Sequence, residues 1–425
     1  MHSISKLKEL SFLVYGLGLS GQSVVKFFKK NNIKNYEVWD DKKKKLFKDR
    51  RAKNLKETLD RVNYIVLSPG INIIDKKDLI KFEKKIITDI DFLYLTNKNF
   101  KSIVVTGTNG KSTTCKLITH LLQKNRYQVL LGGNIGTPIL DLKIKKNTYT
   151  VIEASSFQLS HSKFICPDYA FLLNITNDHI DWHGNMMNYI NSKLKIFTSQ
   201  KKDQYAIVNK KFKKIFIKKK FSSKLIIPNI KNYQKIKQKI KNRYLELSIN
   251  DENMNFVYTF AKIIKISDSD FINAIKSFVG LPHRYEIFLK KKNVIFINDS
   301  KATSFEATKF ALSNSKNVYW ILGGMPKKND KIILPVSKKN IIKCYLIGKN
   351  TNFFQKQIKN KINFSITKNL KETILEILTD IRLSKKKNST ILLSPAAASY
   401  DQYKNFEKRG NEFKKLSKIY VRKFI

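Results

Sequence analysis

A short β-branched run, Ser102-Ile103-Val104-Val105, passes through Thr106-Gly107-Thr108-Asn109-Gly110 into Lys111-Ser112-Thr113. Leu117, Ile118, Leu121 and Leu122 then recur at helical spacing. The chain must therefore turn from a buried strand into a helix across Gly107 to Lys111. Gly107 and Gly110 allow backbone angles and close approaches that a Cβ forbids, so backbone N–H groups can face an anion at the positive end of the helix. Lys111 adds a point charge, and Ser112 or Thr113 can place a hydroxyl on Mg²⁺. The pattern predicts a phosphate cradle, with an ordinary glycine-rich turn as the structural alternative. Its loop is short: only Thr108 and Asn109 separate Gly107 from Gly110, where the usual P-loop has about four residues.

Strand-like runs alternate with helical ones along nearly all of the 425 residues, which predicts α/β domains with mainly parallel sheets. Near the start, Ser11 to Tyr15 reads as a strand, GLGLSG (Gly16 to Gly21) as a tight turn and Gln22 to Lys30 as a helix. The next strand, Tyr36 to Trp39, ends at Asp40 and Asp41, about twenty residues after the turn, as in dinucleotide-binding units. A third strand, Tyr64 to Leu67, runs into Ser68-Pro69-Gly70. GxGxxG alone also fits a purely structural turn. Later strands are expected at Tyr149 to Ile152, Tyr169 to Leu173, Val294 to Ile297, Val318 to Leu322, Tyr345 to Ile347 and Thr390 to Leu393, while residues 203–248 are Lys-rich and carry little pattern. The expected organisation is three domains: a Rossmann-like unit over 1–97, a central P-loop ATPase-type unit with a mainly parallel sheet over 98–280, and a second Rossmann-like unit over 281–425.

The formal net charge of +50 raises nucleic acid or anionic lipid as partners. The lysines are nevertheless spread through the whole chain, and runs such as Lys42 to Lys45, Lys218 to Lys220 and Lys385 to Lys387 read as solvated loops and helix ends. No specific nucleic-acid partner and no membrane insertion are expected. Cys115, Cys166 and Cys344 stand apart without a CxxC, which fits a reducing, cytoplasmic setting rather than a disulfide frame or zinc site.

Nucleotide chemistry needs a metal as well as a cradle. Glu153, at the tip of its strand, offers a hard oxygen ligand suited to Mg²⁺; a capping or ion-pairing carboxylate is the alternative. His179 and His183 flank Asp181 in a loop. On a helix expected over Met186 to Phe197, Ile190, Leu194 and Phe197 form the apolar stripe, with Lys193 on its flank. Partial burial there would lower the lysine's pKa, whereas a snorkelling surface lysine is the plain reading.

GTNGKST from Gly107, EASSFQL around Glu153, NITNDHIDWHG from Asn174, SKLKIF around Lys193, LPHR from Leu281, NDSKATS from Asn298, LGG from Leu322 and SPAAASYDQYKNFEKRGNEF from Ser394 resemble the Mur ligases, in the same order and across the full chain. The last block is most similar to the D-glutamate-adding branch. The resemblance implies a monomeric, ATP-dependent amide ligase of peptidoglycan precursor synthesis. Its substrates would be UDP-N-acetylmuramoyl-L-alanine and D-glutamate, joined through an acyl phosphate. By the same resemblance, Gly107, Thr108, Asn109, Gly110, Lys111, Ser112 and Thr113 hold the ATP phosphates and one Mg²⁺; Glu153 shares in metal binding; His179 and Lys193, the latter carbamylated, serve a second Mg²⁺. Asn250 and Asn253 match positions near adenine, although a helix cap would also suit Asn250. Arg284 and Asp299 match residues near the phosphates and ribose. Leu19, Ser20, Asp40, Asp41, Lys42, Gly70 and Asn134, with His179, match the UDP-sugar cradle, and Lys301, Thr303, Lys327, Ser399 and Phe406 the surroundings of D-glutamate.

Three positions depart from the family's pattern. Ile249-Asn250 stands for His-Asn, Asp41-Lys42 for Thr-Arg at the uracil, where lysine cannot reproduce the planar fork of arginine, and Met325-Pro326 for Asp-Gly after LGG. The DNPR signature of the diamino-acid-adding relatives is absent.

Overall fold

The structure is a computed structural model that describes residues 4–97, 100–242, 244–245, 250–327, 330–332, 334, 340–384 and 388–424. Ile249 and the Lys385 to Lys387 run lie outside the described residues. The chain divides into two compact units, Met1–Phe278 and Val279–Ile425.

The first unit carries two sheets. One is built from β1 (Phe12–Tyr15), β2 (Tyr36–Trp39), β3 (Tyr64–Leu67) and β4 (Ile86–Ile87) in the order β2-β1-β3-β4, all parallel. Successive residues of β1 face opposite cores: Phe12 and Val14 pack with Val24, Phe28 and Phe92, while Leu13 and Tyr15 pack with Leu59, Ile65 and Leu79. That two-sided burial is why these strands read as continuous apolar runs. The other sheet comprises β5 (Lys101–Thr106), β6 (Val129–Gly133), β7 (Tyr149–Glu153), β8 (Tyr169–Leu172), β9 (Tyr205–Val208) and β10 (Lys224–Ile226), in the parallel order β10-β9-β8-β5-β7-β6. Strand β5 is thus central, with β7 and β8 on either side, and the three strand ends deliver their loops to one place.

A buried carboxylate joins the parts of this unit. Asp91, on the helix Asp89–Thr96, accepts hydrogen bonds from the N–H groups of Thr88, Lys163 and Phe164 and from Ser162 Oγ at 2.7–2.9 Å. Burial raises its pKa, and those donors work against the rise.

The second unit holds β11 (Glu286–Lys291), β12 (Val294–Asn298), β13 (Val318–Gly323), β14 (Ile341–Ile347), β15 (Phe364–Ile366) and β16 (Ser389–Leu393), in the order β11-β12-β16-β13-β14-β15. Only β11 runs antiparallel. Trp320, Leu322, Leu346 and Leu392 fill one side of the sheet, and Tyr319, Ile321, Tyr345 and Leu393 the other. Among the described residues no helix is long and apolar enough to cross a membrane.

Candidate active site

The turn after β5 leads into the helix Lys111–Lys124. Gly110 precedes it at φ +82°, and a Cβ there would sit 2.2 Å from Asn253 Oδ1, so both conformation and space require glycine. Thr108 donates its N–H to Asn174 O and Asn109 donates its N–H to Asn174 Oδ1, each at 2.8 Å. Those two N–H groups are therefore used inside the fold. The helix starts at Lys111, with Ser112 and Thr113 buried in its first turn, and a helix N-terminus is a place where an anion can be met.

Two lysines converge behind the turn. Lys111 Nζ donates to Gly107 O and Thr108 O, both at 2.9 Å, and Lys193 Nζ donates to the same Gly107 O at 2.8 Å. Lys193 is only 1% exposed, deeper than its flanking position on the stripe suggests, because its Nζ lies over the Tyr189 ring, 4.6 Å from the centroid. Burial, reinforced by the Lys111 charge, drives its pKa well below the usual lysine range, and Asp178 only partly opposes this. A buried amine in this position favours the neutral form.

Glu153, ending β7, is buried, and its two oxygens differ. Oε1 accepts from Asn134 Nδ2 at 2.9 Å, whereas Oε2 has no hydrogen-bond partner. An orphaned buried carboxylate oxygen is costly unless something polar meets it, so the donor set fits a hard divalent cation. Among the described residues no cluster of three or more His, Cys, Asp or Glu surrounds a cation position. Asn134 also donates its N–H to Glu153 O and so belongs beside this carboxylate.

His179 starts the short helix Ile180–His183 at φ +55°. Its ring lies edge-on to Phe157 (4.7 Å) and near Tyr189 (6.3 Å), which links it to Lys193 through the tyrosine. His183 is buried and lies nearer still to the Tyr189 ring, at 5.1 Å; its Nε2 is 3.0 Å from Ser156 Oγ, and burial, then the charges of His179 and Lys193, push its pKa down to about 4. Asn253 packs on the cradle, with Oδ1 accepting from Thr114 Oγ1 at 3.3 Å. Asn250 does not cap its helix; its Nδ2 donates to Tyr244 O at 2.8 Å.

At the other sheet of this unit, Gly16 (φ +93°) lies so close to Ser68 that a Cβ would come within 2.8 Å of the serine Cβ. The helix Leu19–Lys30 begins directly after this turn, earlier than expected, with Leu19 79% exposed. Ser20 bonds the buried Asp89 carboxyl, as does Gln158; burial outweighs both and raises the Asp89 pKa. Asp40 accepts from the N–H groups of Leu17, Lys42 and Lys43 at 2.6–2.9 Å. Burial would raise its pKa, but these donors hold it below the usual carboxylate range. Asp41 accepts from Trp39 Nε1 and pairs with Lys76 at 2.9 Å. Lys42 is exposed, and a Cβ on Gly70 would meet nothing within 4 Å.

In the second unit, the strand ends of β12, β13 and β16 meet around Arg409, a residue the sequence reading did not single out. Its buried guanidinium donates to Ser300 Oγ, Ser300 O, Ala397 O and Gly323 O at 2.9–3.3 Å. Burial lowers its pKa to about 10. Lys301 Nζ lies 4.8 Å from the Phe406 ring centroid. Asp299 accepts from Ser394 Oγ at 2.7 Å and from Tyr285 N–H at 3.1 Å; burial raises its pKa to about 7 against these donors and the Arg284 charge. Ser399 is buried, Thr303 half-buried and Lys327 exposed.

Residues 105–272 match the model of the Mur ligase middle domain, and curated relatives match nearly the whole chain; the chain belongs to the Mur ligase family. Those relatives are, in particular, UDP-N-acetylmuramoylalanine–D-glutamate ligases. The one from Wolbachia sp. subsp. Brugia malayi is 36% identical with 96% of each chain covered. The one from Rickettsia prowazekii is 37% identical over 95% of this chain and 97% of its own. Among solved structures, UDP-N-acetylmuramate–alanine ligase MurC of Thermotoga maritima shares the fold with a TM-score of 0.57 at 15% identity, covering 97% of this chain and all of that one. MurF ligase of the same organism, in complex with ADP, gives 0.56 at 17% identity and 98% of each chain.

Proposed function

We propose that this chain is the ligase that adds D-glutamate to UDP-N-acetylmuramoyl-L-alanine with ATP, acting as a cytoplasmic monomer. The observation that carries the reading is the placing of a helix N-terminus, Lys111 and Lys193 at the end of β5 and the orphaned Glu153 oxygen at the end of the neighbouring strand β7, in a chain whose full-length relatives bear that name.

A carboxylate is a poor electrophile because its leaving group would be oxide. Transfer of the γ-phosphoryl group to the alanyl carboxylate gives an acyl phosphate with a good leaving group. The amine of D-glutamate then attacks it, and the tetrahedral adduct collapses to the amide and phosphate. Two anions must first meet, so the cradle has to neutralise both. Gly107, Thr108, Asn109, Gly110, Lys111, Ser112 and Thr113 form the phosphate cradle in this reading, with Lys111 and the helix N-terminus facing the phosphates. Glu153 and Ser112 would hold one Mg²⁺, which supplies charge neutralisation at the phosphates. Burial favours the neutral form of the Lys193 amine, the form that reacts with carbon dioxide, losing a proton, to give a carbamate. That change would turn a cation into an anionic oxygen donor able, with His179, to hold a second Mg²⁺.

Residue roles follow the family's positions. Asn250, Asn253, Arg284 and Asp299 serve the nucleoside side of ATP. Leu19, Ser20, Asp40, Asp41, Lys42 and Gly70 serve the UDP-sugar, and Lys301, Thr303, Lys327, Ser399 and Phe406 the carboxylates of D-glutamate. Asn134 belongs with the UDP-sugar set and also orients Glu153. The domain division at 1–97, 98–280 and 281–425 is kept as part of the proposal.

The test is phosphate release from ATP with each acceptor alone and with both. Release should require both, and ¹⁸O in the alanyl carboxylate should appear in the phosphate. Release independent of either acceptor, or phosphate without label, would overturn the assignment.

A further inference from the structure

We propose that Asn174 is a positioning residue of the phosphate cradle, taking the structural place of the residues by which this loop is shorter than the usual one, and that Glu252 fixes the direction in which its amide faces. The inference rests on the reading that the cradle binds ATP.

In the longer loop the chain has enough residues to wrap an anion with successive N–H groups. Here Thr108 and Asn109 form the whole span, and Asn174, just beyond the end of β8, meets both. Its backbone O accepts the Thr108 N–H at 2.8 Å, its Oδ1 accepts the Asn109 N–H at 2.8 Å, and its Nδ2 donates back to Asn109 O at 3.3 Å. The neighbouring residue pairs reinforce the corner: Thr108 Oγ1 accepts from Thr176 N–H at 3.0 Å and lies 2.9 Å from Tyr189 OH. The approach is close, since a Cβ on Gly107 would come within 3.1 Å of Leu173 Cβ. Two peptide groups are thus fixed away from the anion, and the direction of the helix N-terminus is set by the wall rather than by loop length.

The amide has one workable orientation. Asn109 N–H can only donate, so it needs Oδ1, and an ionised carboxylate can only accept, so it needs Nδ2. Glu252 Oε2 accepts from Asn174 Nδ2 at 3.1 Å, and Oε1 accepts from Asn209 Nδ2, beyond the end of β9, at 2.6 Å. One carboxylate therefore spans two adjacent strand ends. It sits on the same helix, Asp251–Ile263, whose Asn253 packs against Gly110. The cradle is held from both sides by one helix.

Binding of a fluorescent ADP analogue by the full chain, together with KM for ATP and for D-glutamate and the melting temperature, tests this. Asn174→Ala should weaken nucleotide binding about tenfold or more, the scale of losing one to two hydrogen bonds. Asn174→Asp should weaken it further, because a carboxylate would then face Glu252 and the phosphates. Glu252→Gln, at an exposed position that puts little strain on folding, should raise KM for ATP about threefold with kcat and KM for D-glutamate held. Nucleotide binding within about twofold of the parent in Asn174→Ala and Asn174→Asp would overturn the inference. So would equal losses for both substrates accompanied by a collapse in melting temperature. A parent chain that binds no nucleotide would instead refute the ligase reading on which the inference stands.

Discussion

Replacing Lys193 with methionine should separate stability from activity. Lys111 and Lys193 each place Nζ within 2.9 Å of Gly107 O. Their nitrogens are then at most about 6 Å apart, and two unit charges at that separation repel by about 3 kcal/mol at an effective dielectric constant of about 20. If the amine is neutral instead, the conflict is met by holding it against its tendency to protonate, which also lowers folding stability. Methionine fills a similar shape without charge and gives up one hydrogen bond worth about 1 kcal/mol. The variant should therefore gain up to about 2 kcal/mol, a rise of roughly 3–6 °C for a folding unit of this size. Calorimetry of ligand-free protein in buffer depleted of carbon dioxide reads the stability, and phosphate release on the same preparation reads the chemistry. Ligation should fall at least about a hundredfold, the scale of losing a group that handles transition-state charge. A variant that melts several degrees below its parent, or that turns over normally, would refute the argument.

Gly110→Ala should cost about 1–2 kcal/mol for the left-handed conformation alone, and it must also displace Asn253; a lower melting temperature and weaker ADP binding, seen together by titration and calorimetry, are expected. Glu153→Gln keeps the acceptor for Asn134 but removes a carboxylate oxygen that has no partner, so ligation at saturating Mg²⁺ should be lost while the melting temperature holds or rises. His161, like His183, has its pKa pushed from 6.5 to about 4, by burial first and then by the charges of Lys195, His183 and Lys163. The unfolded chain then binds protons that the folded one refuses, so stability should fall as pH drops from about 6.5 towards about 4 and level off below that; His161→Phe should flatten the acid limb of a melting-temperature profile.

The strands with β-branched runs and a glycine or acid at the end were legible almost to the residue: Tyr36–Trp39 and Tyr64–Leu67 needed no adjustment, and Lys101–Thr106 and Tyr149–Glu153 only grew by a residue or two. Strands β9 and β10 were hidden because their apolar cores, Ala206 to Val208 and Leu225 to Ile226, sit between lysines that dominate any window. Strand β11 was missed for a related reason: an edge strand that is solvated on one side, such as Glu286–Lys291, carries no long apolar run. At the site, Lys193 read as flanking because periodicity ranks positions on a single helix, whereas its depth comes with the β5 turn, whose Gly107 carbonyl it meets. Arg409 and Asn174 lie inside blocks that carry the family resemblance, but nothing in the sequence singled out either residue. Their roles are hydrogen bonds to backbone atoms more than sixty residues away, and only the sheet order makes those atoms neighbours.

Strand β16 is the last strand to be synthesised, yet it lies between β12 and β13 and separates them. On a ribosome, the earlier strands of the second unit would wait with unpaired edges until residues 389–393 emerge, and the arginine that gathers their loops arrives later still. The second unit would thus complete its sheet only late in synthesis, and nascent chains halted before that point would be natural clients for chaperones and proteases.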